Sequence, residues 1–328
     1  MVRISDVAAE AGVSVATVSR ALNGLPSVHP ELAERVRDAA VRLGSRPNAV
    51  ARGLRTQKTE VLALIISDIE NPVFTAIARG VEDVAQRNGY SVILCNSDED
   101  PEKEARYLDV AIAEQVAGLI LSPHSSATDV RSVRAAGIPL IVVDRPLDED
   151  VDAVLAESGS GAEAATRHLL AEGWMHPACI TGPDDAATAL DRLAGYRSAM
   201  IEAGATPRFE HAPFSREGGR AAAASVLDST PSVDALFVAN AALALGVLAE
   251  LRSRGLVPGR DVGLVTFDDA PWTPFIDPPM TVVSQPAYEI GSVAAELLMT
   301  RISGSDQPVH RTSMPTSLVV RASSLRGR

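Results

Sequence analysis

Polar side chains near the ends of several predicted strands have the chemistry of a site for a polyhydroxylated small molecule. Arg192 carries a rigid fork of donors that can hold two hydroxyls, Asp268 can accept hydrogen bonds from two, and Asn240 offers a donor and an acceptor. Three phenylalanines near them could pack against a sugar ring. The candidate ligand-binding residues are Asn71, Phe74, Asp144, Arg145, Arg192, Phe214, Asn240, Asp268 and Phe275. In the structural alternative, Asp268 caps a helix, Arg192 makes a surface ion pair and the phenylalanines fill the core.

Strands alternating with helices must position these side chains. From Glu60 onward, short apolar runs alternate with segments of helical spacing. The predicted strands are 61–66, 91–95, 118–121, 139–143, 178–181, 235–239 and 263–267, and the predicted helices are 74–88, 102–115, 162–172, 191–203, 218–227 and 243–254. This alternation indicates an α/β fold with two doubly wound parallel-sheet lobes, the second beginning near Gly159. Open parallel sheets bind ligands at the carboxyl ends of their strands, so we expect the candidates to meet in a cleft there.

Other patterns with catalytic or metal-binding potential are weaker. Residues 159–164 read G-x-G-x-x-A, a dinucleotide fingerprint that would make the chain an oxidoreductase. However, the motif begins the second lobe, and no strand ending in an acid follows at about 20 residues. A flexible glycine crossover into a capped helix explains the motif better. His176 and Cys179 have ligand-like spacing but no second pair. We therefore expect no enzyme activity, no metal and no cofactor.

The composition is that of an ordinary globular protein, with 328 residues of which 46% are apolar and 22% are charged. We expect no membrane-spanning segment, and Asp6 and Glu10 interrupt the N-terminus where a signal peptide needs an apolar stretch. The two cysteines, Cys95 and Cys179, are expected to be separate buried thiols. Together these features predict a cytoplasmic protein.

Charge is divided unevenly along a chain whose net charge is −12. Residues 1–58 hold nine Lys/Arg and five Asp/Glu, a net charge of +4, so the remainder carries −16. A cationic head on an acidic body is expected if only the head meets the phosphates of DNA, because counterion release rewards local positive charge. A solvated charged surface is the alternative, and +4 alone does not decide between the two.

The cationic head has the pattern of a helix-turn-helix unit. Apolar spacing predicts helices over 4–11, 15–22 and 30–43. Ser5 and Ser14 are the expected N-caps of the first two helices, and Gly12 is expected to end the first with a positive φ. A generic three-helix bundle with a small polar face is the alternative.

The second of these helices would enter the major groove of DNA. Its outward residues are Val15, Ala16, Thr17, Ser19 and Arg20. Arg20 can donate a bidentate pair to guanine, the hydroxyl groups suit phosphate oxygens, and the small apolar side chains can touch a thymine methyl.

Dense, ungapped matches in this region resemble the N-terminal signature of the lactose/galactose-repressor family of bacterial transcription regulators. They are Ile4-Ser5-Asp6-Val7-Ala8, Ala11-Gly12-Val13-Ser14, Ala16-Thr17-Val18-Ser19-Arg20, Leu22-Asn23-Gly24 and the run 46–54. The reading helix is most similar to the catabolite-control and sugar-repressor branch. The resemblance implies a homodimeric repressor that binds a pseudo-palindromic operator in double-stranded DNA. It also implies control by a small-molecule effector, most simply a sugar, in the cleft.

The resemblance further implies a hinge helix within 48–56 that pairs with its partner in the minor groove and inserts Leu54 as a wedge. The implied organisation is a helix-turn-helix domain at 1–47, a hinge at 48–59 and a two-lobed core at 60–328 like the periplasmic sugar-binding proteins. The first lobe covers about 60–157 plus 286–316, and the second about 158–285 plus 317–328. The residues expected at the DNA are Ser5, Ser14, Val15, Ala16, Thr17, Ser19, Arg20, Asn23, His29, Asn48, Ala51, Leu54 and Arg55.

The chain departs from the family pattern at four places. Ser45 replaces a tyrosine, which removes one expected backbone contact, and Ala241 replaces an aspartate after Asn240, which removes an acceptor from the cleft. Glu157-Ser158 stands for Asp-Asn, and Trp174-Met175 for a basic stretch. A transport solute-binding protein would share the two-lobed body, but it would need a signal sequence and no basic head.

Overall fold

The computed structural model describes residues 3–22, 28–44, 59–229 and 233–327. The chain divides into two compact units, Met1–Thr59 and Glu60–Arg328. Within the described ranges, no helix is long and apolar enough to cross a membrane.

The described residues of the first unit form three helices: α1 (Ile4–Ala11), α2 (Val15–Leu22) and α3 (Pro30–Arg42). Gly12 ends α1 with a φ of 64°, and the Ser14 hydroxyl caps α2 by accepting a hydrogen bond from Thr17 N at 3.1 Å. The inward faces bury Val7, Ala8, Ala11, Val18, Ala21, Ala33, Val36, Ala39 and Ala40. The predicted helix-turn-helix is thereby confirmed.

Details of the predicted helix faces are wrong at three positions. Ser5 is not the N-cap of α1, because the helix begins one residue earlier and the Asp6 carboxylate reaches back to accept from Arg3 N at 2.8 Å. Ile4, expected on the buried face, is 44% exposed for the same reason. In α3, Ala33 is buried where Leu32 was expected.

The second unit contains twelve strands and eight helices within its described residues. The strands are β1 (Val61–Ile66), β2 (Ser91–Asn96), β3 (Gly118–Leu121), β4 (Leu140–Val143), β5 (Asp152–Ala156), β6 (Pro177–Thr181), β7 (Phe209–His211), β8 (Ala235–Val238), β9 (Gly263–Phe267), β10 (Thr281–Ser284), β11 (Arg311–Met314) and β12 (Ser317–Val319). The helices are α4 (Pro72–Arg87), α5 (Pro101–Ala113), α6 (Arg131–Ala135), α7 (Ser158–Ala171), α8 (Ala187–Glu202), α9 (Arg216–Ser229), α10 (Ala241–Ser253) and α11 (Ala287–Ile302).

These strands form two six-stranded sheets with equivalent topology. The first has the order β11-β5-β4-β3-β1-β2 and the second the order β12-β10-β9-β8-β6-β7. The pairs are parallel except β10–β12, which is antiparallel. Both faces of each sheet are covered by apolar clusters, as the continuous apolar strands require. The predicted α/β fold class with two parallel-sheet lobes is confirmed.

The chain crosses between the two sheets three times. After β5 it enters α7, which packs on α8 of the second lobe, and after β10 it enters α11, which packs on α4 of the first lobe. The third crossing runs from β11 to β12. The elements β5, β10 and α11 are not among those predicted from the sequence.

Glycines allow the helices at these crossings to approach closely. A Cβ added to Gly195 in α8 would lie 2.0 Å from Gly159 O in α7, and one added to Gly80 in α4 would lie 2.1 Å from Tyr288 O in α11. In both lobes, therefore, the helix that arrives by the crossing packs backbone to backbone on its neighbour.

Candidate functional site

The predicted DNA-reading surface lies on α2 and the residues beside it. Val15, Ala16 and Arg20 are exposed, as are Ser14 and His29, whereas Thr17 and Ser19 are half-buried. The Ser14 and Thr17 hydroxyls lie 2.9 Å apart, so both also take part in the helix cap. Asn23, Asn48, Ala51, Leu54 and Arg55 lie outside the described residues, as does Ser45.

Arg35 holds the helices of this unit in place. Its Nη2 donates to Ala11 O, at the end of α1, at 2.7 Å. This bond satisfies a carbonyl that a helix C-terminus leaves without an intrahelical partner. The exposed face of α2 is thus carried on a small core braced from α3.

In the second unit, a polar cleft lies where the ends of strands from both sheets meet. Its lining is Asp68, Asn71, Val73, Phe74, Glu99, Asp144, Arg145, Thr188, Arg192, Phe214, Asn240, Asp268 and Gln285. Eight of the nine candidate ligand-binding residues are in this set. The exception is Phe275, which is 87% exposed and does not line the cleft, because the loop after β9 turns it outward.

Arg192 lies on the second-lobe side of the cleft and is 4% exposed. Its guanidinium stacks on Phe267, with Cζ 3.8 Å from the ring centroid, and its Nη1 donates to Ala239 O at 2.7 Å. Burial lowers the pKa of Arg192 from its ordinary value, while the carboxylates of Asp268 and Asp144 act in the opposite direction. The alternative that placed Arg192 in a surface ion pair is therefore wrong.

Asn240 and Asp268 lie at the ends of the adjacent strands β8 and β9. The Asn240 side chain caps α10 by accepting from Leu243 N at 2.8 Å, which commits its carbonyl oxygen to the helix. Asp268 has a φ of 77° and accepts from Gln285 Nε2 at 2.5 Å. Burial raises the pKa of Asp268 above its ordinary value, against the opposing effect of Arg192.

Asp144 and Arg145 face them from the first lobe. Arg145 is 3% exposed, and its Nη1 and Nη2 donate to the two carboxylate oxygens of Glu99 at 2.6 and 2.5 Å. Burial opposes the charge of Arg145, but Glu99 and Asp144 hold its pKa above the ordinary value. Among the described residues, its buried Nε has no hydrogen-bond partner, although Asp144 Oδ2 lies 3.4 Å away. An effector oxygen that reached this N–H could accept a hydrogen bond from it.

Aromatic and amide side chains from both lobes complete the lining of the cleft. Phe74 is buried in the core beneath α4 while lining the cleft, so it has both of the roles that the sequence left open. Asn71 caps α4 by accepting from Val73 N at 3.1 Å. Phe214 packs over Gly182 in the second lobe, where an added Cβ would lie 2.1 Å from its ring.

Five lining residues were not predicted. Asp68, Val73, Glu99, Thr188 and Gln285 reach the cleft from loops and helix starts. Glu99 could have been found from its place just after β2, whose end meets the same sheet edge. Gln285 had no signal, because it follows a strand that was itself not predicted.

The G-x-G-x-x-A motif contributes to packing between helices. Its glycines lie inside the first turn of α7 and not in a flexible crossover, so that prediction is wrong. Gly159 N donates to Asp191 Oδ2 at 2.7 Å, and Gly195 packs against Gly159 O. Small residues are therefore required here because α7 and α8 touch along their backbones.

Trp174 and Cys179, two residues of the second lobe, are structural. Trp174 is fully buried and donates from Nε1 to Ser324 O at 2.7 Å, which fastens the C-terminal segment to the lobe. Cys179 lies in the same core, and Cys95 is buried in the first lobe; both are free thiols whose pKa is raised by burial. His176 donates from its backbone nitrogen to Asp234 at 2.8 Å.

The fold and the cleft define a class of protein: a helix-turn-helix unit joined to a two-lobed small-molecule receptor. Residues 3–48 match the model for bacterial regulatory proteins of the lacI family, and residues 166–324 match a periplasmic binding protein-like domain. The ribose operon repressor of Halalkalibacterium halodurans is 35% identical over 327 residues, covering 100% of this chain and 98% of the relative.

Two solved structures cover almost the whole chain. The transcriptional regulator CelR in complex with cellobiose has a TM-score of 0.76 at 31% identity, covering 98% of this chain and 100% of the other. The lac repressor dimer bound to operator and the anti-inducer ONPF has a TM-score of 0.88 at 26% identity, covering 99% of each.

This chain belongs to the lacI family of bacterial regulatory proteins. It is a ligand-modulated DNA-binding transcriptional repressor and not an enzyme, as the sequence predicted.

Proposed function

We propose that this repressor responds to a small, uncharged sugar, a pentose such as ribose, bound between the two lobes. The lining of the cleft carries this proposal. Four carboxylates, Asp68, Glu99, Asp144 and Asp268, stand against the two guanidinium groups of Arg145 and Arg192. Such a surplus of negative charge repels phosphorylated and carboxylated metabolites, whereas carboxylates, amides and guanidinium forks suit hydroxyl groups.

The choice of a pentose rests on the size of the cleft and on the similarity of this chain to a ribose operon repressor. The cleft has a free volume of about 30 Å³, enough for one or two waters. A small sugar therefore requires the least displacement of the lining. The relative with 35% identity is a ribose operon repressor, so ribose is the first sugar that should be tested with this chain.

The small free volume also supports a mechanism of control. Because little of the cleft is free in this arrangement, we propose that binding separates the lobes or rotates the lining side chains. The two arrangements then differ in sugar affinity, and any coupling to DNA follows from that difference. In our proposal, the arrangement of the lobes sets the spacing of two hinge segments, at 48–59, in a homodimer.

On the DNA side, we propose that the helix-turn-helix domain at 1–47 reads one half-site of a pseudo-palindromic operator through α2. Arg20 is the residue best suited to a guanine, and Ser5, Ser14 and His29 suit phosphates. Leu54 is proposed as the minor-groove wedge, with Asn48, Ala51 and Arg55 beside it. We infer that the protein acts in the cytoplasm, where it meets its DNA.

One experiment tests both halves of this proposal. The full-length protein is titrated into a labelled palindromic operator at fixed moderate salt, with and without D-ribose, while fluorescence anisotropy is recorded. We expect preference for the operator over random DNA, and a shift in operator affinity of at least tenfold on adding ribose. A thermal-shift panel of neutral sugars, sugar phosphates and nucleosides runs beside it, because a bound ligand raises the Tm.

Two results would overturn the proposal. Equal affinity for palindromic and random DNA would exclude the operator function. A rise in Tm with sugar phosphates and none with neutral sugars would exclude the proposed effector class. Leu54→Gly separates the hinge from the reading helix: specific affinity should fall while nonspecific binding at low salt persists.

A further inference from the structure

A buried carboxylate that does not line the cleft lies in the first turn of α5. Glu104 is 2% exposed, and its two oxygens bind separate groups. Oε2 accepts from His124 N at 2.6 Å, and Oε1 accepts from the Thr128 hydroxyl at 2.8 Å. Both donors belong to the loop between β3 and α6, residues 122–130. Glu104 therefore fastens this loop to α5 at two points.

The cost of burying this carboxylate indicates a role beyond filling space. A carboxylate that leaves water loses its hydration, and an apolar side chain of similar size would avoid that loss. Burial raises the pKa of Glu104 above its ordinary value, while the hydrogen bonds from Thr128 and His124 N act in the opposite direction. What the carboxylate offers, and an apolar side chain lacks, is a pair of acceptors at fixed positions.

The peptide group between Pro123 and His124 connects Glu104 to the cleft. Its N–H donates to Glu104, and its carbonyl oxygen, Pro123 O, accepts from Arg145 Nη1 at 3.4 Å. Because a trans peptide group is planar, the bond from its N–H to Glu104 also sets the direction of its carbonyl. Arg145 Nη1 donates to His124 O as well, at 3.1 Å. The guanidinium thus binds a segment whose orientation Glu104 fixes.

Arg145 lines the cleft, and its Nη atoms are already occupied. Besides the loop carbonyls, Nη1 and Nη2 bind the Glu99 carboxylate. The Nε, by contrast, is buried and has no hydrogen-bond partner within the described ranges. Since a guanidinium is planar and rigid, holding its Nη atoms also fixes the direction of the Nε–H. The loop held by Glu104 therefore takes part in orienting the donor that an effector could use.

We propose that Glu104 is a positioning residue for effector binding, which acts on the sugar through the Pro123–His124 peptide group and Arg145. It supports from outside the cleft a side chain that lines it, and does not touch the ligand. This inference rests on the proposed function, since a sugar must occupy the cleft for the position of Arg145 to matter. It extends the set of residues that determine sugar affinity to α5.

The test is a double-mutant cycle in the full-length protein, with the Kd for D-ribose measured by isothermal titration calorimetry. Glu104→Leu removes both acceptors, and ribose affinity should fall about tenfold, because the unpaired N–H of His124 lets the loop and Arg145 move. In the Arg145→Lys background, the same substitution should cost less than about twofold, since the guanidinium through which it acts is already absent. Combined with Arg192→Lys, in the other lobe, it should still cost about tenfold.

The conservative variant separates geometry from charge. In Glu104→Gln, the amide oxygen can accept from His124 N, and the amide nitrogen can donate to the Thr128 hydroxyl, which is also an acceptor. Ribose affinity should therefore stay within about twofold of the wild type. If Glu104→Leu does not fold, Thr128→Val removes one of the two bonds with little change in volume and should weaken ribose binding about fourfold.

Asp152→Asn is the matched control for stability. Asp152 is another buried carboxylate of the first lobe that accepts from a backbone N–H, that of His310 at 2.7 Å, but it lies at the start of β5 and does not line the cleft. This variant should have a lower Tm but a Kd for D-ribose within about twofold of the wild type. Glu104→Leu should bind operator DNA without sugar as the wild type does.

The outcomes separate the two proposals. Additive losses for Glu104→Leu and Arg145→Lys, or equal losses for Glu104→Leu and Glu104→Gln, would overturn the positioning role and leave the proposed effector standing. A loss of ribose affinity in Asp152→Asn as large as that in Glu104→Leu would do the same. If the wild type binds neither D-ribose nor any other neutral sugar, the proposed function is wrong, and this inference with it.

Discussion

The two lobes place an aspartate at the same point of the same topology but surround it differently. Asp144 follows β4 with a φ of 65°, and Asp268 follows β9, the equivalent strand, with a φ of 77°. Beside Asp144, the guanidinium of Arg145 is bound to Glu99 through two hydrogen bonds. Beside Asp268, Arg192 is stacked on a ring and bonded to a backbone carbonyl, with no ion-pair partner among the described residues.

This difference indicates a division of labour within the cleft. In the first lobe, Arg145 forms an internal ion pair with Glu99 and also donates to Pro123 O and His124 O. These bonds hold together the loops after β2, β3 and β4. The second lobe has a guanidinium that is oriented by stacking and, among the described residues, forms no direct ion pair, although the carboxylates of Asp268 and Asp144 act on its charge. We therefore expect the second lobe to discriminate between ligands more strongly than the first.

The largest expected effect tests whether the two lobes are built alike. Gly195→Ala and Gly80→Ala each place a Cβ about 2 Å from a backbone oxygen of the neighbouring helix, and each should lower the free energy of unfolding by about 3 kcal/mol. Urea denaturation measures both. The exposed Ser198→Ala in α8 is the control and should change little. A loss below about 1 kcal/mol in one lobe only would break the equivalence of the two helix pairs.

The next effect sharpens the contrast between the arginines. Arg192→Lys keeps the charge but loses the stacked fork, so ribose affinity should fall about 100-fold, whereas Arg145→Lys should cost about tenfold because its first role is structural. Operator affinity without sugar should be retained by Arg192→Lys. Calorimetry with D-ribose and operator anisotropy provide the two readouts.

Arg197→Lys is the matched control, since Arg197 is exposed on the same helix. Equal losses for Arg192→Lys and Arg145→Lys would refute the division of labour. Loss of operator binding by Arg192→Lys would mean that the residue is structural.

A smaller effect concerns the pH dependence of stability in each lobe. Burial raises the pKa of Asp268, so its ionisation costs stability as pH rises above the ordinary value of about 4 and through the folded-state pKa. At Asp152 in the first lobe, burial would also raise the pKa, but hydrogen bonds from Arg301 and His310 N hold it below the ordinary value. The stability that Asp152 contributes is therefore present above about pH 4 and lost as pH falls through its folded-state pKa.

Asparagine variants make this visible in thermal melts between about pH 2 and about pH 8, a range that extends from below to above the ordinary carboxyl pKa of about 4. Asp268→Asn should have a higher Tm than the wild type near neutral pH while binding ribose more weakly. Asp152→Asn should have a lower Tm there, and both differences should shrink in acid. Tm shifts of the same sign for the two variants would contradict the assigned pKa directions.

The smallest effect is expected at Phe275. Because this side chain is exposed and does not line the cleft, Phe275→Ser should change ribose affinity by no more than about twofold. A tenfold loss would show that Phe275 reaches the sugar after the lobes rearrange. Phe214→Ser, which removes a lining ring, is the comparison and should weaken binding.

The strand ends of the cleft could be predicted because chemistry and topology coincide there. Asp144, Asn240 and Asp268 each follow an apolar run, and parallel sheets gather such ends at one edge. Gln285 could not be predicted, because it depends on the crossing after β10. Phe275 was wrongly predicted to line the cleft, because the sequence gives a residue's neighbours along the chain but not the direction in which a loop turns its side chain.

In the helix-turn-helix unit, the predictions concerned helix ends, and their success depended on the local sequence around each cap. Gly12 and Ser14 have conformations and bonds that follow from their own chemistry, and both were predicted. Ser5 failed because Asp6 offered the backbone a better acceptor one residue later. Gly159 and Gly161, in α7 of the second unit, differ from these residues. Their role is set by the close packing of α7 on α8, which local sequence rules do not predict.

The threefold crossing of the chain has a consequence for synthesis on the ribosome. The first lobe begins at β1 but lacks its covering helix α11 and its edge strand β11 until residue 314 has been made. The buried core described for the helix-turn-helix unit lies within residues 7–40, so these residues are made long before residue 314. The helix-turn-helix unit can therefore fold on the nascent chain while the apolar side of α4, which α11 later covers, is still exposed. Chaperones would be needed most during this interval.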